Sequence, residues 1–146
     1  MSKDQPQPGD SIKPRKPAIV QFTSTVLTCE SLLVVFATLV AFGLRDSPYG
    51  RGPLQFDSAV AIWVAGGTLA LVLLVLSRMT SGTGGYVAGS VAQLPVLGLG
   101  LVVPMMFFVG GVFVVLWIAA LRLGRRIDRE RAEYDAAHPE TAPNIE

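Results

Sequence analysis

The sequence predicts an all-α polytopic membrane protein, a four-helix transmembrane bundle in which helices 3 and 4 form a tight hairpin. Three observations predict it. Hydrophobic residues make up 51% of the 146 and charged residues only 16%, where a soluble domain carries roughly 25% charge. The charges gather almost wholly at the two ends and in one loop, leaving long apolar runs between them. Both ends are rich in Lys and Arg, and cytoplasmic segments collect such residues, so the number of spans is even.

Residues 1–17 are polar and proline-rich, with Lys3, Lys13, Arg15 and Lys16. Too little of this stretch is apolar to offset the entropy of ordering it, so it is expected to be a disordered cytoplasmic tail. The apolar run after it, IVQFTSTVLTCESLLVVFATLVAFGL over 19–44, is the first helix. About 20 apolar residues at about 1.5 Å rise cross a hydrocarbon core of about 30 Å. The run is longer than the roughly 7–15 residues of a signal-peptide core, and Ala41-Phe42-Gly43 is a poor cleavage site.

Turn dipeptides Ser47-Pro48, Tyr49-Gly50 and Gly52-Pro53 mark residues 45–57 as a loop. Asp57-Ser58 then offers an N-cap for helix 2, about 59–76, with Trp63 near its start where an interfacial aromatic is expected. A second loop, 77–85, carries Arg78 and a Ser-Gly-Thr-Gly-Gly run that continues a helix only at a cost. Beyond it, 86–123 holds no charge before Arg122. As one straight helix that run would be about 57 Å long, nearly twice the hydrocarbon thickness. Gly98, Gly100 and Pro104 weaken helix near its centre. It is therefore expected to fold back into helix 3 (86–103) and helix 4 (105–123), with a short uncharged turn between them. The transmembrane region is thus 18–124. Residues 125–146 are expected to be a cytoplasmic charged helix, into which helix 4 runs on after Leu123, supported by Arg129–Glu133 and Arg131–Asp135 at i,i+4 and ended by His138-Pro139, and then a disordered tail.

Glu30 is the acid inside helix 1, and an ionisable group at bilayer depth costs at least about 2.5 kcal/mol. Its helical face carries Thr23, Ala37 and Ala41, small residues that suit packing against other helices. Counting from the cytoplasmic ends, Glu30 lies about 16 Å into helix 1 and Gln93 about 10 Å into helix 3, so a hydrogen bond between them is within side-chain reach. Pro95 removes the amide that would bond the Val91 carbonyl and is expected to break or kink helix 3 beside this pair. Glu30, Gln93 and Pro95 therefore form the expected intramembrane polar cluster. Three roles fit Glu30: a protonated or hydrogen-bonded structural acid, a proton- or cation-handling group, and a contact for a basic group of a partner subunit.

The pairs Gly66-Gly67 and Gly110-Gly111 are expected at close helix contacts. Trp117 and Tyr86 are expected as interfacial anchors. Arg122, Arg125 and Arg126 are the topology signal and, just inside the membrane, suit anionic lipid.

The single cysteine, Cys29, excludes an intrachain disulfide and a thiolate metal cluster, and the lone His138 sits in a polar tail. No phosphate-binding loop, metal-ligand spacing or nucleophile–base pair is present, so no enzyme activity, cofactor or metal is expected. A net charge of +1 without a basic, aromatic-interleaved face gives no nucleic-acid partner.

The stretches CESLLVVFATLVAFGL from Cys29, GYVAGSVAQL from Gly85 and LWIAALRLGRRIDRERAEY from Leu116 resemble a family of small, uncharacterised actinobacterial integral membrane proteins commonly encoded beside folylpolyglutamate synthase. That resemblance implies a membrane protein of unknown function, with no catalytic residues to carry over. In span count and the position of Glu30 the chain is also similar to small multidrug-resistance transporters, whose first-helix glutamate exchanges protons for cations. The longer tails and outer loop depart from that pattern.

The reading from sequence is a multi-pass protein of the cytoplasmic membrane with both termini inside. It acts as a structural or accessory component whose partners are the lipid bilayer and either a second copy or another membrane protein. The competing reading is an oligomeric proton- or cation-coupled transporter built around Glu30.

Overall fold

The computed structural model describes residues 15–49 and 52–140. Among these the chain forms four α-helices and no strand: α1 Ala18–Leu44, α2 Ala59–Arg78, α3 Thr83–Gly98 and α4 Met105–Ala137. A single 3₁₀ turn, Leu99–Leu101, extends α3. Each of the four is long and apolar enough to cross a membrane, α3 when counted with its 3₁₀ extension. The expected tails over 1–14 and 141–146 lie outside the described residues.

The helix bounds differ from the sequence expectation in three places, each with a local cause. Helix α2 runs two residues further, to Arg78, and the Met79 amide closes it by bonding the Leu76 carbonyl. Helix α3 starts at Thr83, so the Thr-Gly-Gly of the expected loop forms its first turn, and it changes to 3₁₀ at Leu99 instead of running to 103. First-turn amides have no intrahelical partner in any case, which makes glycine less costly there than in a helix interior. Helix α4 runs unbroken to Ala137, so the span ending at 123 and the charged helix expected after it are one helix of 33 residues, about 50 Å at 1.5 Å per residue. Roughly 20 Å of it therefore projects beyond a hydrocarbon core of about 30 Å. Its exposed Arg126–Glu130 (2.7 Å) and Arg129–Glu133 (3.9 Å) pairs follow the i,i+4 pattern of a solvated helix.

Helix α1 is the axis of the bundle. It packs extensively on α2 and α4 and meets α3 only briefly, so α1 and α3 stand diagonally across the centre. The core between them holds Leu27, Val34, Leu73, Val96 and Trp117, and a second cluster of Ala37, Val103 and Met106 lies toward the α3–α4 turn. The outward faces carry large exposed hydrophobic side chains such as Phe36, Val64, Leu71 and Phe108, the surface of a protein solvated by lipid.

Two joints hold the ends. At the hairpin, the α3–α4 turn spans only Val102, Val103 and Pro104, and the loop after α1 folds back over it. The Gly52 amide donates to the Val102 carbonyl (2.8 Å) and the Leu54 amide to the Leu101 carbonyl (2.9 Å). A short uncharged turn at the membrane boundary thereby gains donors for carbonyls that would otherwise lack them. Gly52 is required by proximity, since a Cβ there would collide with the Leu101 carbonyl. At the opposite end, α1 begins after Pro17 with no capping side chain of its own. Asp128 of α4 supplies one: its Oδ1 accepts from the Ala18 amide (2.6 Å) and its Oδ2 from the Ile19 amide (3.1 Å). A carboxylate is the favoured partner for the unpaired amides and positive dipole end of a helix. Gly124, one turn earlier on α4, allows the approach, because a Cβ there would strike the Ile19 backbone.

Candidate functional site

The polar centre of the bundle is built on the diagonal. Gln93 Nε2 donates to Glu30 Oε2 at 2.9 Å, and this bond joins α1 to α3 through the middle of the core. Glu30 is 0% exposed and Gln93 5%. Around the pair, hydroxyl groups are satisfied locally: Ser31 Oγ donates across to the Ala70 carbonyl of α2 (2.7 Å), and Thr23 and Thr38 donate to carbonyls one turn back in α1. Near the pair on α3, the Trp117 indole N–H of α4 donates to Ser90 Oγ at 3.0 Å.

The two remaining side-chain oxygens, Glu30 Oε1 and Gln93 Oε1, are buried without a hydrogen-bond partner. Their chemistry defines the site. With Glu30 ionised both atoms are acceptors and no donor is present, which strands two polar groups in a low-dielectric interior. A proton on the carboxyl would add a donor to the pair. A neutral carboxylic acid and a primary amide are complementary in this way, each offering one donor and one acceptor.

Pro95 does not join the pair. It lies two residues, about 200° of helix rotation, from Gln93, on the exposed face, and α3 passes through it without a break. The expected cluster is thus two residues, Glu30 and Gln93, with Pro95 facing outward. The glycine pairs also divide. A Cβ on Gly66 would enter the Thr38 side chain of α1, and one on Gly110 would come within 3.3 Å of Leu97 Cδ2 on α3, whereas Gly67 and Gly111 have nothing within 4 Å. Neighbours in a helix differ by about 100°, so of two consecutive glycines only one faces the partner helix. Trp117, expected at the interface, is 2% exposed and lies over Gly89, whose missing side chain makes room for the indole. Tyr86 sits half-buried at the start of α3. Arg122, Arg125 and Arg126 are all exposed on the α4 extension.

Three features were missed in the sequence: the Asp128 cap, the Gly124 contact and the Gly89–Trp117–Ser90 contact. Only the first left a usable signal, since Pro17 before an apolar run leaves helix amides in want of an acceptor. Among the described residues no group of three or more His, Cys, Asp or Glu side chains is placed to hold a metal ion. The crevice bounded by Thr38, Phe56, Gly66 and Val102 opens near the hairpin end and is not lined by Glu30 or Gln93.

The family model described as "Protein of unknown function (DUF4233)" matches residues 21–133, most of the chain. The chain belongs to that family. The matched region takes in Glu30, Gln93, Trp117 and Asp128, so the central pair and the α4 side of the α1–α4 joint fall inside it, while Ala18 and Ile19 lie just before it. No curated protein and no solved structure matches the chain. Family membership and the four apolar helices together make it a small membrane protein.

Proposed function

We propose that this protein is a structural or accessory component of the cytoplasmic membrane, without enzymatic chemistry, in which Glu30 clamps the bundle and does not carry substrate. One observation supports this most: Glu30 is completely buried and engages an amide from the diagonally opposed helix. A carboxyl that exchanges protons with both sides of a membrane needs an aqueous approach, and here both partners are closed in by packed side chains. Its pairing with Gln93 serves cohesion between helices, which in lipid depends on packing and interhelical hydrogen bonds.

The orientation in this proposal has both termini in the cytoplasm. The Asp128 cap joins the start of α1 to the extension of α4, so both lie at one end of the bundle. That end carries Arg15, Lys16, Arg78, Arg122, Arg125, Arg126, Arg129 and Arg131. Positive-inside bias makes it the cytoplasmic one. The actinobacterial origin and folylpolyglutamate-synthase neighbourhood suggested by the sequence resemblance belong to the same proposal, as does association through the outer faces with a second copy or another membrane protein.

Proton flux into vesicles containing the reconstituted full chain, compared between wild type and Glu30→Gln, tests the role. Absence of flux in both is expected; a flux in wild type abolished by the substitution would establish transport instead. Cysteines placed at Ser47 and Thr83 in a Cys29→Ser background test the orientation. An impermeant reagent outside the cell should label only the first, and labelling of Thr83→Cys alone would invert the assignment.

A further inference from the structure

Two apolar grooves run along the outside of the α1–α4 seam, one in each half of the membrane. The groove at the hairpin end, about 480 Å³, lies between Leu33, Phe36 and Val40 of α1 and Pro104 and Met105 at the start of α4. The groove at the end that carries the termini, about 450 Å³, lies between Phe22, Thr25 and Val26 of α1 and Leu116, Ala119 and Leu123 of α4. In volume and lining they are near equals, and either has the form of a slot for an acyl chain.

Charge separates them. About 20 residues of α4 cross the hydrocarbon core, so a helix that enters near Met105 leaves it close to Arg122 and Arg126, at headgroup level. Arg122 stands three residues after Ala119, an adjacent position on the helix surface. Lys16 and Arg15 are exposed just before α1, whose Gln21 and Phe22 line the same groove about one to two turns further on. Among the described residues none of Arg122, Lys16 and Arg15 has a carboxylate partner, whereas Arg126 is bonded to Glu130 at 2.7 Å. Asp128, the acid nearest this end of α1, is taken up by the Ala18 and Ile19 amides. At the hairpin groove the cation among the described residues is Arg45, which is paired with Asp46 at 3.1 Å and lies 4.3 Å from the Phe42 ring centre. Of the two grooves, the one at the termini end therefore finishes in uncompensated positive charge.

We propose that the α1–α4 groove at the termini end binds one anionic phospholipid, its acyl chain along Phe22, Ala119 and Leu123 and its phosphate between Lys16 and Arg122. A net-negative headgroup is selected over a zwitterionic one because the mouth presents cations and its nearest acid, Asp128, is already engaged. The hairpin groove takes acyl chains without headgroup preference.

Native mass spectrometry of the full chain released from mixed phosphatidylglycerol–phosphatidylcholine micelles tests this, reading the apparent affinity for one retained phosphatidylglycerol. Wild type retains phosphatidylglycerol in preference to phosphatidylcholine. With about 1 kcal/mol per surface cation, each of Arg122→Gln and Lys16→Gln lowers that affinity about five-fold, and the double substitution about twenty-five-fold. Both positions are exposed, so an unchanged thermal melt accompanies the loss. Ala119→Phe, which fills the groove, abolishes retention, and Val40→Phe in the other groove leaves it intact. Wild-type affinity in the double variant overturns the headgroup assignment. Full retention in Ala119→Phe overturns the groove, leaving only diffuse surface charge.

Discussion

Replacing Gln93 with Leu keeps the volume near the centre of the bundle and removes the side-chain donor to Glu30. The lost interhelical hydrogen bond is worth about 0.6 kcal/mol on average in membrane proteins, and at most about 1.7. The larger part comes from the carboxyl left behind, fully buried at 0% exposure, since an unsatisfied buried polar group costs about 1–3 kcal/mol. Together these give about 2–3 kcal/mol of destabilisation. Glu30→Leu strands the Gln93 amide in the same way and costs a similar amount. The double substitution strands nothing, because both polar partners are replaced by apolar groups of similar shape, and it should lie within about 1 kcal/mol of wild type. Unfolding of all four chains in bicelles, followed by far-ultraviolet circular dichroism, closes the double-mutant cycle. The expected coupling is at least about 2 kcal/mol; additive single effects would refute the claim that the two side chains act as one unit. Glu30→Gln, which preserves a donor and an acceptor opposite Gln93, should cost less than about 1 kcal/mol.

The remaining predictions concern the helix contacts. Gly66→Ala should destabilise by about 1–3 kcal/mol through overpacking, because the Thr38 side chain it meets is held by a 2.7 Å bond to the Val34 carbonyl. Its neighbour Gly67 has open space at the Cβ position, so Gly67→Ala should be neutral or stabilising by up to about 1 kcal/mol; equal costs at both positions would show that both glycines pack. Asp128→Ala should cost about 1–2 kcal/mol by uncapping α1. Hydrogen exchange should then quicken selectively at Ala18 and Ile19, whereas unchanged protection there would mean that the cap is dispensable.

Much of the architecture was legible because lipid restricts what a backbone can do. Each span had to be a helix of about the hydrocarbon thickness, and the parity of spans came from basic residues at both ends. The hairpin turn was placed near Pro104 by the same length argument, and Ser58 was recognisable as the α2 cap, its hydroxyl receiving the Ala61 amide at 3.4 Å. The run of α4 past Leu123 was legible too, because i,i+4 pairing between charged side chains lets one helix pass through both solvents, although Arg126–Glu130, one of the pairs formed, was not among those the spacing had singled out. The glycine doublets show a similar limit: their presence announced close packing, but which member faces a neighbour depends on the rotation of the whole helix.

Sequence alone determined the class of the protein, the spans and the identity of the intramembrane acid, because hydropathy and the cost of a buried charge are local properties. It also brought Glu30 and Gln93 to similar depths, since depth is a count of residues along a helix. Azimuth is not such a count. That α1 and α3 stand diagonally, so that a bond between them crosses the centre, is decided by how all four helices pack. The same packing turned Pro95 outward, drew Trp117 inward against Gly89, and set Asp128 beneath the first turn of α1. Each of these depends on which face one helix presents to another, a relation fixed by interlocking side chains far apart in the chain. The tertiary structure thereby made an isolated charge in an apolar run into one half of a two-residue clamp.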